Sequence, residues 1–180
     1  MNVYILRHGT TVWNEIGKTQ GRCQNKLSKN GKVLAENTAE NLKDVPFDVI
    51  YCSPLMRTMQ TANIVNKYHG AKIIRSELLT EVDQGVYSGR FYKSLTDKEK
   101  ELKLKRDPST KMETLDHALQ RAKTFYEAVL KNNVNENILV VSHNNICSFL
   151  KMIISGEKID LTNHEQINCF KNAEFKKLKM

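Results

Sequence analysis

The chain has 180 residues, 40% apolar and 27% charged, enough for one buried core over residues 1–180 and unlike a disordered or fibrous chain. Its net charge of +8 points to anionic partners, but the lysines are scattered, and one Trp among sparse aromatics makes no base-stacking array, so nucleic acid is not expected. No apolar run approaches the ~20 residues that span a bilayer, and no basic-then-apolar leader opens the chain, so no membrane association and a cytoplasmic location are expected.

Short apolar runs alternate with longer helical patterns. Val3–Leu6 reads as the first strand. Ser28 reads as the N-cap of a helix carrying Val33, Leu34 and Leu42 on one side. Phe47–Cys52 is the second strand, and a helix runs from Leu55 to about Tyr68, ended near Gly70. Ala71–Arg75 is the third strand. The segment from Thr80 to Arg90 contains Gly85 and Gly89 and reads as a loop. A lysine-rich helical stretch, Ser94 to about Lys105, is broken by Pro108. Thr114 opens a helix expected to reach Lys131, with Leu115, Ala118, Leu119, Ala122, Phe125 and Val129 on one stripe. Ile138–Ser142 is the most strand-like run, followed by a helix to about Ile154. The C-terminal stretch reads as a β-hairpin turning at Lys171-Asn172.

The four cysteines, Cys23, Cys52, Cys147 and Cys169, form no CxxC pair and stand beside no histidines at zinc-finger spacing. They read as free thiols. The alternation of strand and helix predicts an α/β fold, a mostly parallel central sheet with helices on both faces and an antiparallel C-terminal edge.

In open α/β sheets, ligands bind beyond the carboxyl ends of the strands. The first strand ends in Arg7 and His8. The second delivers Ser53 and then Arg57. The strand ending near Val141 delivers Ser142, His143 and Asn144. If these strands are parallel neighbours, two arginines and two histidines converge. Packed cations repel, so such a cluster implies an anion that completes it. Guanidinium forks and helix N-termini both suit a phosphate. No carboxylate cluster suited to a metal accompanies them.

These residues resemble the histidine phosphatase superfamily, also called the phosphoglycerate mutase-like family, over nearly the whole chain. Arg7 to Asn14 is similar to its opening RHGxTxWN signature, with Thr11 inside it. Gln20-Gly21-Arg22 and Leu27 to Gly31 resemble the following segment, with Asn25 in place of the usual Asp. Ser53 to Ala62 resembles SPLxRAxQTA, and Leu79 to Gly89 resembles an LxExxxGxxxG loop. Asn144-Asn145 stands where the family commonly carries glycines after the second histidine. The resemblance implies a fold of the phosphoglycerate mutase type and a phosphohistidine on His8. It implies that Arg7, Arg57 and His143 hold the phosphoryl oxygens and that Glu81 is the general acid and base, with Asp83 the lesser candidate. Asn14, Thr11, Gln20 and Gly21 are expected to add substrate contacts, and Asn144 to narrow the pocket or touch the substrate. No cofactor or metal is expected.

The chain is short for a cofactor-dependent mutase, so hydrolysis of a small-molecule phosphate ester is the expected reaction. A phosphoglycerate mutase, a sugar-bisphosphate phosphatase and a non-catalytic phospho-ligand binder are the alternatives. Neither the substrate nor the oligomeric state is legible.

Overall fold

The computed structural model describes residues 1–180. The elements in chain order are β1 (Asn2–Arg7), α1 (Val12–Glu15), α2 (Lys29–Leu42), β2 (Val49–Cys52), α3 (Met56–Asn66) and β3 (Lys72–Arg75). They are followed by α4 (Asp97–Lys105), α5 (Leu115–Phe125), β4 (Asn137–Ser142), α6 (Asn144–Ser155), α7 (His164–Ile167) and β5 (Phe175–Lys179). The five strands form one sheet in the order β3-β2-β4-β1-β5. All neighbours are parallel except β5, which runs antiparallel to β1. This is the expected mixed α/β architecture.

The central strands are nearly continuous apolar runs because helices cover both faces of the sheet. Alternate residues divide between two cores, as the period of two in a strand requires. Val3, Ile5, Ile138 and Val140 pack with Phe125 of α5 and Phe149 and Leu150 of α6. Tyr4, Leu6, Leu139 and Val141 pack with Ala39 and Leu42 of α2 and with Ala62 and Val65 of α3. The caps anticipated from sequence are in place. Ser28 Oγ accepts from Gly31 N at 3.0 Å, and Thr114 Oγ1 accepts from His117 N at 3.1 Å. The long helix that Thr114 opens leaves α-geometry at Phe125 and ends in a single π-turn, Tyr126–Leu130. All four cysteines are free thiols, and no helix is long and apolar enough to cross a membrane.

The C-terminal hairpin does not form. Residues 164–167 are the short helix α7, and β5 pairs with β1. The intervening segment turns its backbone toward side chains. Phe170 N donates to Asn144 Oδ1 at 3.2 Å, and Phe170 O accepts from Arg7 Nη1 at 2.6 Å. Ile167 and Phe170 are buried in the α5–α6 core. Burial of those two apolar residues outweighs the weak strand pattern around them.

The register decides where the site lies. Arg7 is level with Ser142, and Cys52 is level with Val141. The ladder runs one step further, with His8 N donating to Ser142 O and Ser53 N to Val141 O, each at 3.0 Å. Thus β2, β4 and β1 end together, and the next residues face one space. The loop leaving β1 lies directly on the start of α2. A Cβ on Gly31 would stand 1.8 Å from Thr10 O, and one on Gly9 would stand 2.5 Å from Gly31 O. No side chain fits there. Gly31→Ala is expected to destabilise by about 1–3 kcal/mol, lowering Tm by several degrees, as read by differential scanning calorimetry. An unchanged Tm would contradict the close approach.

Candidate active site

The residues after β1, β2 and β4 converge as their register requires. A polar recess of about 180 Å³ is lined by Arg7, His8, Asn14, Gln20, Gly21, Arg57, Glu81 and Asn144, among others. His8, Arg57 and His143 are almost wholly buried. The His8 and His143 rings pack edge to face, with centroids 5.2 Å apart.

His8 is fixed at both ring nitrogens. Nδ1 lies 2.7 Å from Gly9 O, a carbonyl that can only accept, so Nδ1 carries the hydrogen. Arg57 Nε donates to Nε2 at 3.2 Å, so Nε2 presents its lone pair. Burial, then Arg57 and Arg7, push the His8 pKa well below the usual histidine range. The ring is therefore neutral, with an unprotonated Nε2 beside the recess. Burial, Arg57 and His8 do the same to His143. His143 Nε2 lies 2.9 Å from Ser53 Oγ. His143 Nδ1 and Arg7 Nε are buried with no protein partner. Arg7 lines the recess, whereas His143 is fully buried and is not among the lining residues, although its ring packs against His8.

Arg57 is anchored on its other nitrogens. Nη1 donates to Cys23 O at 2.8 Å and Nη2 to Gly21 O at 2.7 Å. Gly21 is left-handed at φ 50°, and a Cβ there would come within 3.0 Å of Gln84 N. Thr11 does not line the recess. It is buried and caps α1, its hydroxyl shared between Asn14 Oδ1 (3.1 Å) and Gln20 Oε1 (2.9 Å). Asn25, in the place of the usual Asp, donates to Gln20 Oε1 at 3.2 Å. Asn144 and Asn145 border the recess and tie down the C-terminal segment: both side-chain amides donate to Asn168 Oδ1, at 3.0 and 3.2 Å. Thr19, Gln84 and Asn168 also line the recess, which no sequence signal announced. No group of three or more His, Cys, Asp and Glu side chains is arranged to hold a metal.

The two candidate acids differ in setting. Glu81 faces the recess, and burial raises its pKa against the opposing pull of the Val82 N–H, Arg57 and Arg7. Asp83 Oδ1 accepts from Gly85 N at 2.8 Å and serves the turn. The loop carrying Glu81 is braced from behind. Arg121 Nη1 donates to Leu78 O and Thr80 O, both at 2.9 Å, and Arg22 Nε to Glu81 O at 3.1 Å. Both arginines meet on Glu113, which accepts from Arg121 Nε (2.8 Å), Arg121 Nη2 (2.9 Å), Arg22 Nη2 (3.0 Å) and Asp83 N (3.2 Å). Burial favours the neutral acid, but Arg121 and His117 outweigh it and hold Glu113 down at about 2.

A neutral imidazole nitrogen ringed by guanidinium groups and facing a carboxyl of raised pKa is suited to phosphoryl transfer. The chain belongs to the histidine phosphatase superfamily (branch 1), a group of phosphoric monoester hydrolases, whose family model matches residues 3–180. It is 32% identical to the uncharacterized phosphatase PhoE of Bacillus subtilis (strain 168), over 96% of this chain and 88% of that protein. It is 32% identical to phosphoserine phosphatase 1 of Hydrogenobacter thermophilus, over 79% of this chain and 71% of that protein. The structure of the alpha-ribazole phosphatase from Shigella flexneri superposes with a TM-score of 0.86 at 25% identity, over 100% of this chain and 91% of that one.

Replacing Glu113 by Gln is expected to weaken the brace. The kcat/KM should fall roughly 10-fold for an alkyl phosphate and less for an aryl phosphate, as for a displaced proton donor. The same variant checks the linkage. Glu113 has a depressed folded-state pKa, so its contribution to stability is present above about 4.5 and is lost as pH falls toward about 2. The Tm difference between wild type and Glu113→Gln should therefore be full at pH 7 and shrink on acidification. An equal loss on both esters, or a pH-independent Tm difference, would remove the brace.

Proposed function

We propose that residues 1–180 form one catalytic domain, a phosphomonoesterase that hydrolyses a small phosphate ester through a phosphohistidine on His8, without metal and in the cytoplasm. The observation that carries this reading is the pair formed by His8 Nε2, kept unprotonated as the acceptor of an Arg57 hydrogen bond, and Glu81, held toward its acid form in the same recess.

In the first step Nε2 gives up the hydrogen bond from Arg57 Nε, whose N–H turns to a phosphoryl oxygen, and the freed lone pair attacks phosphorus. The P–O bond to the alcohol breaks, and the leaving oxygen takes the proton of Glu81. The ring becomes an N-phosphoryl imidazolium, whose Nδ1–H remains on Gly9 O. Arg7, Arg57 and His143 offset charge on the equatorial oxygens, the role a metal would otherwise fill. In the second step the Glu81 carboxylate removes a proton from water, the oxygen attacks phosphorus, and the N–P bond breaks. Inorganic phosphate leaves, and both His8 and Glu81 return to their starting forms. A mutase would differ only in the acceptor, a second substrate hydroxyl in place of water, so free phosphate as the product distinguishes the two.

Quenching the wild type during turnover, with EDTA present, should trap phosphate on His8 that is labile in acid and stable in base. His8→Ala should show neither label nor turnover while keeping its thermal transition. Turnover by His8→Ala, or a strict need for a divalent metal, contradicts the proposal.

The pH profile follows from the two shifted groups. The first step needs His8 neutral and Glu81 protonated. Its rate should fall in acid as His8 protonates, below the usual histidine range, and fall in base as Glu81, raised above the usual carboxyl range, loses its proton. Glu81→Gln should abolish the alkaline limb of kcat/KM for an alkyl phosphate and lower its maximum about 10²–10⁴-fold, with a smaller loss for an aryl phosphate. An alkaline limb that survives in Glu81→Gln assigns it to another group.

A further inference from the structure

Arg7 and Arg57 both line the recess, but they are held differently. Arg57 has three protein partners, the carbonyls of Gly21 and Cys23 and the ring of His8. The guanidinium of Arg7 has one, the Phe170 carbonyl, which accepts from Nη1 at 2.6 Å. Its Nε is buried without a protein partner. We infer that Asn144 is the residue that positions Arg7: its amide oxygen fixes the Phe170 backbone, and the Phe170 carbonyl fixes the guanidinium. The inference rests on the phosphatase reading of the recess and adds a positioning residue to it. Asn144 acts through Arg7 and not by its own contact with the substrate.

Phe170 lies between α7 and β5, where no strand ladder serves its backbone. Neither its N–H nor its carbonyl has a main-chain partner. Asn144 Oδ1 accepts from the N–H at 3.2 Å, and the carbonyl accepts from Arg7. The Phe170 ring is buried in the α5–α6 core. Burial of the ring locates the residue, and the amide contact orients its backbone groups. Backbone groups taken out of water need partners, so a side chain at position 144 without an acceptor would leave the N–H unpaired. With Nη1 engaged, Arg7 keeps Nε and Nη2 for an oxyanion, the edge of the fork that grips two oxygens at once.

The neighbouring amides leave Asn144 one orientation. Asn168 Nδ2 donates to His164 O at 2.9 Å, so Asn168 Oδ1 is the end that accepts. Asn144 Nδ2 donates to that oxygen at 3.0 Å. Asn145 Nδ2 donates to it at 3.2 Å and to Ile167 O at 2.9 Å. A carbonyl only accepts and an N–H only donates, so each amide is fixed in turn, and Asn144 presents its oxygen to Phe170 N. Asn144 directly follows His143. The turn that carries the second histidine therefore also sets the segment that holds Arg7.

Two readouts test this, and the first is independent of any reaction. In protein labelled with nitrogen-15 arginine, the Nη groups of a held guanidinium give separate NMR signals, and those of a freely rotating one average. The Arg7 signals are assigned by their loss in Arg7→Ala. Asn144→Ala should average the Arg7 signals and leave those of Arg57 separate. Ser148→Ala removes another tie to the same segment, from Cys169 N to Ser148 Oγ at 3.2 Å, and should leave Arg7 held. For the second readout, inorganic phosphate is titrated calorimetrically into wild type, Asn144→Ala, Arg7→Ala and the double variant. Arg7→Ala should weaken binding about 10- to 100-fold, the worth of a charge-assisted contact, and Asn144→Ala about 3- to 10-fold. The double variant should bind no more weakly than Arg7→Ala alone, because both changes remove one interaction. Arg7 signals that stay separate in Asn144→Ala, or that average equally in Ser148→Ala, overturn the inference. So does a loss from Asn144→Ala that persists in the Arg7→Ala background, which marks a direct contact between the amide and phosphate. Failure of wild type to bind phosphate counts against the phosphatase reading, and the Arg7 signals still decide the inference.

Discussion

An imidazole nitrogen that accepts a hydrogen bond from a guanidinium has no room for a proton. The Arg57–His8 contact imposes this on Nε2, and the Gly9 carbonyl imposes the opposite tautomeric demand on Nδ1. Much of the site follows from that pair of bonds. A charged His8 would face two arginines at close range in a desolvated space. The neutral ring is the form such surroundings tolerate, and it is also the nucleophilic form. The constraint holds until a phosphoryl oxygen takes over the Nε–H and frees the lone pair, because Arg57 is anchored. Its two terminal nitrogens grip the carbonyls of Gly21 and Cys23, so the loop after α1 and the start of α3 are fixed to the same guanidinium.

The sheet explains which parts of the site assemble without help. Strands β2, β4 and β1 are neighbours with level ends, so Ser53, His143 and His8 arrive together through backbone pairing alone. Glu81 has a harder route. It follows β3, at the far edge of the sheet, with two strands between it and β1. Backbone pairing cannot bring it to the recess that His8 lines. Ser142 Oγ therefore holds the loop through Leu79 O at 2.8 Å, and the Arg121–Glu113–Arg22 network holds it further on. Part of the charge of this basic chain is thus spent on positioning one carboxyl group.

Much of this was legible in the sequence, for physical reasons that vary by residue. The strands stood out because burial on both faces demands long runs such as Ile138–Val141. The cationic ends stood out because Arg-His after such a run has no folding rationale. Glu81 was legible only through a motif; two residues away, Asp83 has similar chemistry, and only the structure gives it to the turn at Gly85. The hairpin expectation fails because Gln166 to Cys169 alternates polar and apolar as a strand does, whereas the residues that are buried, Ile167 and Phe170, lie three apart. Their burial against α5 and α6 is a long-range effect that a local pattern does not carry. Asn168 at the recess was illegible for the same reason: Asn144 and Asn145, more than twenty positions away, bring it there.

The charges on α4 show how far spacing rules reach. Read by intervals of three and four, Asp97 pairs with Lys100, Glu101 with Lys105 and Glu99 with Lys103. The first two pairs form. The third does not, because Glu99 is already engaged. It receives Arg90 Nη1 at 2.5 Å and closes the capping box with Thr96 N at 2.9 Å. The capping box lies within the first turn of α4, and Arg90 arrives from the adjoining loop, so Glu99 is fully used at the helix start. Lys103, one turn later, has no carboxylate left on its own helix and turns to Gln84 and the Tyr87 ring. A cap at one end of a nine-residue helix thus leaves a lysine near the other end free of its natural partner. The interval rule predicts the contact correctly in isolation. It fails here because one carboxylate cannot serve a cap, an arginine and a lysine at once, and that competition sets which of the basic residues of α4 are neutralised on the surface.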